Sequence, residues 1–160
     1  DAKEMGMAGS AALWKLIDYG MLKDPITGNS ITKEKISGMA NIDQIGSSLS
    51  PIRSSRPDYM LMLGNDSLPK SNRNNLEACN ISSGSNLDLC HSYYGSKTFT
   101  EVFYKLSDQK IFVENRIPAV FFTSGITMNN NKTRDTAETL DYEVLKKRVD
   151  LIYYWIESML

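Results

Sequence analysis

Few side chains in this sequence of 160 residues are suited to chemistry, and Asp43 is the first of them. It stands near the end of the run MANIDQIG, Met39 to Gly46. A carboxylate within an apolar run needs a partner, because burying it unpaired costs several kcal/mol. It either serves a site or caps a loop through backbone amides. Glu4 lies in DAKEMGMAGS, a glycine-punctuated loop that opens a helix and does not itself require a glutamate. Ser107 and Asp108 sit in EVFYKLSDQKIFVEN, where either could cap a helix N-terminus. His91 is the only histidine, and a lone histidine is more often structural or superficial than a ligand. Cys79 and Cys90 form neither a CxxC metal motif nor a disulfide scaffold. They could pair in an oxidising compartment or remain free and buried.

The elements that must position these groups follow from periodicity. Strands are predicted near 39–45, 59–63 and 118–123; Ala119 to Phe122 is a continuous apolar run of the kind covered on both faces, 59–63 reads as buried, and 39–45 carries a carboxylate near its end. Residues 87–94 could form a further strand. Helices are predicted near 10–21, 69–79, 108–114 and 141–159, with Ser10 as the first N-cap. In the last helix Tyr142, Leu145, Val149, Ile152, Ile156 and Met159 make one apolar stripe. Lys146, Lys147 and Arg148 then read as a solvated face. Between strand and helix lies a polar loop, 123–139, with three consecutive asparagines. A strand end followed by a long loop and a helix is a usual ligand position in an open α/β sheet.

Composition narrows the classes. A net charge of −1 and a pI near 5.9 argue against a nucleic-acid or anionic-membrane partner. No run approaches the length of a membrane span. The length suits one domain, 1–160. Asp1 is not a natural start, so the chain reads as trimmed or excised from something longer. Sequons occur at Asn65, Asn80 and Asn131 and carry glycans only in a eukaryotic secreted protein.

Four ordered motifs carry a family resemblance. Glu4-Met5-Gly6-Met7-Ala8-Gly9-Ser10, Asn41-Ile42-Asp43-Gln44-Ile45-Gly46 and Ser107-Asp108-Gln109 lead to Ile117-Pro118-Ala119-Val120-Phe121-Phe122. Asp135-Thr136 and Asp141-Tyr142-Glu143-Val144-Leu145 complete the last motif. The pattern resembles the C-terminal part of the catalytic domain of the co-catalytic zinc aminopeptidases, whose relatives include the glutaminyl cyclases. The resemblance implies a three-layer α/β fold, with a mostly parallel sheet flanked by helices. It makes Glu4 and Asp43 zinc-ligand positions and places Asp108 and Gln109 beside the substrate pocket. It also implies an extracytoplasmic location.

The same comparison shows departures. Lys3 occupies the general-base position, Gln109 a histidine position, and Asn131 the position of the late histidine ligand. A lysine cannot act as the carboxylate base, and an amide oxygen is a poor zinc ligand beside an imidazole. The family's early H-x-D and bridging aspartate have no counterpart here. Hydrolysis needs a metal-lowered water pKa and a base. The expectation is therefore an aminopeptidase-like domain that binds no zinc, does not hydrolyse peptides, and takes a peptide or protein partner in its cleft. If the family's N-terminal strands are absent, one sheet edge is left for self-association. The rival readings are a portion of an active, divergent zinc metallopeptidase, with His91 as its one spare ligand, and an unrelated α/β binding module.

Overall fold

A computed structural model describes residues 6–47 and 56–160. Lys3 and Glu4 lie outside the described residues. The chain forms five helices of a turn and a half or more: α1 (Ala8–Asp18), α2 (Lys70–Ser82), α3 (Lys97–Tyr104), α4 (Gln109–Glu114) and α5 (Tyr142–Glu157). The strands are β1 (Met39–Ile42), β2 (Tyr59–Leu63), β3 (Asp88–Cys90) and β4 (Ala119–Thr123). They form one sheet in the order β1-β4-β2-β3. The pairs β1–β4 and β2–β3 are parallel, and β4–β2 is antiparallel. This is the α/β architecture anticipated, with one antiparallel seam in the sheet.

Every residue of β2 and β4 is buried, as their unbroken apolar runs require. Alternate residues face opposite layers. Met60, Met62, Val120 and Phe122 pack with Leu76, Leu151, Ile152 and Trp155 of α2 and α5. On the other face Tyr59, Leu61, Leu63 and Phe121 pack with Tyr93 and with Phe103 and Tyr104 of α3. On that side α1 and α4 join through Trp14, Ile17 and Phe112, with Met39 of β1 against them. The sheet is the middle of three layers.

Several boundaries differ from expectation. β1 ends at Ile42, and β4 begins at Ala119. α1 starts two residues early, so Ser10 is not its cap; Met7 is, in a left-handed conformation. The Ser10 hydroxyl instead donates to the Met7 carbonyl at 3.0 Å. α3 was not anticipated. Its cap is Ser96, which accepts from the Phe99 N–H at 3.3 Å. Cys79 and Cys90 are free and buried. Asn80 is buried, with its amide bonded to both the N–H and the carbonyl of Leu87, so that sequon is occupied by the fold.

The largest correction concerns α5. Its buried residues are Val144, Arg148, Leu151, Ile152 and Trp155, whereas Tyr142, Val149 and Met159 are exposed. The true stripe is thus rotated around the helix and passes through a cation. Arg148 has no exposed surface. Its guanidinium donates to the carbonyls of Ile45 (2.7 Å), Ser47 (2.8 Å) and Tyr59 (3.0 Å), with a longer contact to Pro57 (3.4 Å). Five N–H groups in a rigid fork suit this task. Arg148 thus ties the backbone that leaves β1 to the backbone at the start of β2. Asp141 caps the helix, accepting from the Val144 N–H at 3.1 Å.

Candidate functional site

Because β1 and β4 are parallel neighbours, the chain leaves both strands at the same rim. A hollow of about 230 Å³ opens there. Such crevices beyond strand carboxyl ends are common ligand positions. Asp43, Gln44 and Thr123 line it from the strand ends, and Asn130 and Asn131 from the loop before α5. Ser107 contributes a hydroxyl, and Phe103, Leu106, Phe121 and Ile126 an apolar wall.

The rim is tied together by the loops themselves. The Asp43 N–H donates to the Phe122 carbonyl at 3.1 Å, and the Ser124 N–H to the Gln44 carbonyl at 2.9 Å. The Gln44 side chain, on a residue with φ of 56°, donates to the Asn130 amide oxygen at 2.6 Å. Asn131 also has φ of 56°, in the region that asparagine tolerates better than most residues. Across the hollow the Ile126 N–H donates to the Tyr93 hydroxyl at 2.9 Å. Burial pushes the pKa of that phenol up, so it is neutral at physiological pH.

Beneath the hollow lies a buried polar network. Asn41 of β1 is directed to the α3–α4 side, where its amide donates to Gln109 Oε1 at 2.7 Å and to Ser107 Oγ at 2.9 Å. The Gln109 amide donates in turn to the Tyr104 carbonyl. Gln109 has no exposed surface and is absent from the pocket wall. Its amide is consumed by the scaffold, with Asp108 half-buried at the N-cap of α4 beside it, without a side-chain cap bond. Gln109→Leu should leave Asn41 short of its acceptor and lower stability by about 1–3 kcal/mol. Urea unfolding would measure this, and a change within error would show that the network relaxes around the loss.

The structure therefore brings Asp43 and Asn131, two positions marked by motif, to one hollow. It places Gln109 underneath and His91 elsewhere: His91 is exposed at the end of β3, on a separate cavity. Tyr93, Phe103, Gln44 and Thr123 were not foreseen as lining residues. Only the polar strand-end position of Thr123 offered a local signal.

A zinc ion needs about four donors in tetrahedral array, usually thiolate, imidazole or carboxylate. The described wall offers one carboxylate, Asp43, and three amides, two of which bond each other. Among the described residues no three His, Cys, Asp or Glu side chains gather in a metal-binding group. This donor set does not by itself fit zinc.

Comparison with solved structures places the architecture among known ones. The chain superposes on the LapA aminopeptidase of Legionella pneumophila with a TM-score of 0.63 at 16% identity. The match covers 96% of this chain and 36% of that one. The chain has an aminopeptidase-like fold. A second LapA structure gives a TM-score of 0.59 at 15% identity, covering 96% and 37% of the two chains. The chain thus spans little more than a third of the length of these neighbours. No protein-family model matches the sequence, and no curated protein does. No helix among the described residues is long and apolar enough to cross a membrane.

Proposed function

We propose that this aminopeptidase-like chain binds the amino-terminal end of a peptide in the hollow beside Asp43 and does not hydrolyse it. The observation that carries this reading is the composition of the wall. One carboxylate stands beside amides and an apolar surface, a set suited to holding a cationic amino group and an adjoining apolar side chain. Asp43 would pair with the peptide ammonium, and Phe103, Leu106 and Ile126 would take up the first side chain. The Asn131 amide and the Ser107 hydroxyl would hydrogen-bond the first peptide group. Support also comes from Asn131 in place of a stronger metal ligand, and from the fold shared with an aminopeptidase.

Isothermal titration with Leu-Gly-Gly should show saturable binding, and Asp43→Asn should weaken it by about fivefold or more. Acetylating the peptide amino group should have a similar effect, because it removes the same charge. No cleavage of the peptide should accompany binding, with or without added zinc. Zinc-dependent release of leucine would overturn the inactive reading in favour of a divergent metallopeptidase. Equal affinity for the acetylated peptide would remove Asp43 from its assigned role.

A further inference from the structure

The apolar wall of the Asp43 hollow continues beyond it. Phe99, Val102 and Phe103 share one face of α3, and Leu106 extends that line just past the helix end. An apolar line of this kind ordinarily faces a core. No residue of α3 is fully buried, and Phe99, Val102 and Leu106 are exposed. The helix is anchored to the sheet through Tyr104, whose hydroxyl donates to the Ala119 carbonyl at 2.5 Å. At one end of the line, Phe103 and Leu106 form part of the wall of the hollow.

The other end runs into a cluster of rings. The Phe103 ring stacks on Tyr93, with centroids 4.3 Å apart, and meets Phe99 at 4.8 Å. Tyr94 lies 5.0 Å from Tyr93 and 5.8 Å from Phe99. Tyr93 and Phe103 line the hollow, whereas Tyr94 and Phe99 form a shelf one ring farther out. Tyr94 is 52% exposed, so burial does not explain a large aromatic side chain there. Its φ is 53°, a left-handed conformation that costs a tyrosine more than it would a glycine or an asparagine. A strained, exposed aromatic residue beside a hollow points to a role in binding.

We infer that Tyr94 and Phe99 receive the third side chain of the peptide whose amino terminus lies beside Asp43, so that the ligand class is amino-terminal segments of the pattern apolar-any-aromatic. The inference rests on the peptide reading of the hollow. In an extended chain alternate side chains share a side and stand roughly 7 Å apart. That is the scale of the ring steps from Phe103 to Phe99 and on to Tyr94. With the first side chain against Phe103, Leu106 and Ile126, the third falls on the shelf, and the second points away from it. The shelf is built of two rings, which favour another ring in edge or offset contact.

Isothermal titration with tripeptide amides tests this. Leu-Gly-Trp-amide should bind about fivefold more tightly than Leu-Gly-Gly-amide, the gain of one or two aromatic contacts. Leu-Trp-Gly-amide, with its ring at the second position, should stay within about twofold of Leu-Gly-Gly-amide. Phe99→Ser and Tyr94→Asn should each cut the advantage of the Leu-Gly-Trp peptide to about twofold or less, a ratio that a general loss of fold would not change selectively. Both residues are exposed, and asparagine suits the backbone at Tyr94, so both variants should fold. Binding of Leu-Gly-Gly-amide with no advantage for Leu-Gly-Trp-amide overturns this inference and leaves the peptide reading of the hollow standing. So does an advantage that survives both substitutions, or an equal one for Leu-Trp-Gly-amide. Failure of every peptide to bind overturns both readings. Sedimentation of the free protein adds an independent check. A dimer that Phe99→Ser dissociates would mean that a second copy covers the shelf, and would overturn the inference.

Discussion

Replacing Arg148 with alanine is expected to destabilise the protein by about 3–5 kcal/mol, measured by urea unfolding followed through Trp14 and Trp155 fluorescence. The substitution strips donors from the carbonyls of Ile45, Ser47 and Tyr59 at once. It also leaves a void in the α5 face of the core. Arg148→Lys should recover only part of the loss, because an ammonium cannot fork to separated carbonyls. Burial lowers the Arg148 pKa to about 10, opposed by Tyr59, Asp141 and Asp58. The group is still a cation at neutral pH. A base whose pKa falls on folding carries a cost while charged, and that cost is relieved only as pH rises through about 10. The hydrogen bonds from the charged fork offset it at neutral pH. A loss below about 1 kcal/mol, the size of one ordinary exposed hydrogen bond, would mean that water can replace the guanidinium at these carbonyls. The substitution should also loosen the strand exit that carries Asp43, two residues before Ile45, and so weaken peptide binding.

The second large effect is expected at Gly64. Its φ is 80°, where a side chain is strained, and an added Cβ would meet the Tyr104 ring at 2.3 Å. Tyr104 cannot retreat without giving up its bond to Ala119. Gly64→Ala should therefore cost about 2–4 kcal/mol, the sum of left-handed strain and overpacking. Gly84 provides the control, with φ of 71° and nothing within 4 Å of an added Cβ. Alanine there should cost only the strain, about 1–2 kcal/mol. If the two losses are equal, the Tyr104 ring has room to move. The comparison is made by thermal or urea unfolding of the two variants side by side.

These residues show what the sequence could and could not reveal. Tyr59–Leu63 and Ala119–Thr123 were legible because burial on both faces leaves a continuous apolar run, whatever the neighbouring strands do. The existence of α5 was legible from its period and from Asp141, but its inward face was not. Arg148 stands two residues after the exposed Lys146, and what draws it inside is a set of contacts distant in sequence, the carbonyls of Ile45, Ser47 and Tyr59. α3 escaped notice because KTFTEVFY is rich in aromatic and β-branched residues of modest helix propensity. Ser96 was the available signal, three residues before Phe99. At the candidate site, Asp43 and Asn131 stood out through the resemblance to the zinc aminopeptidases. Tyr93 and Phe103 could not be found that way, since their place on the wall depends on how α3 crosses the sheet. Gln109 was placed beside a pocket by the same resemblance, while the structure commits its amide to Asn41 and Tyr104.

The two free thiols have a use that follows from where they lie. Cys79 is packed in the layer of α2 and α5, and Cys90 belongs to the opposite layer with Tyr93 and Phe121. The molecule thus carries one alkylation site on each side of its sheet, with no engineering. The rate at which each thiol reacts reads the opening of its own layer, so peptide-level mapping of the modified cysteine tells which half of the protein breathes first.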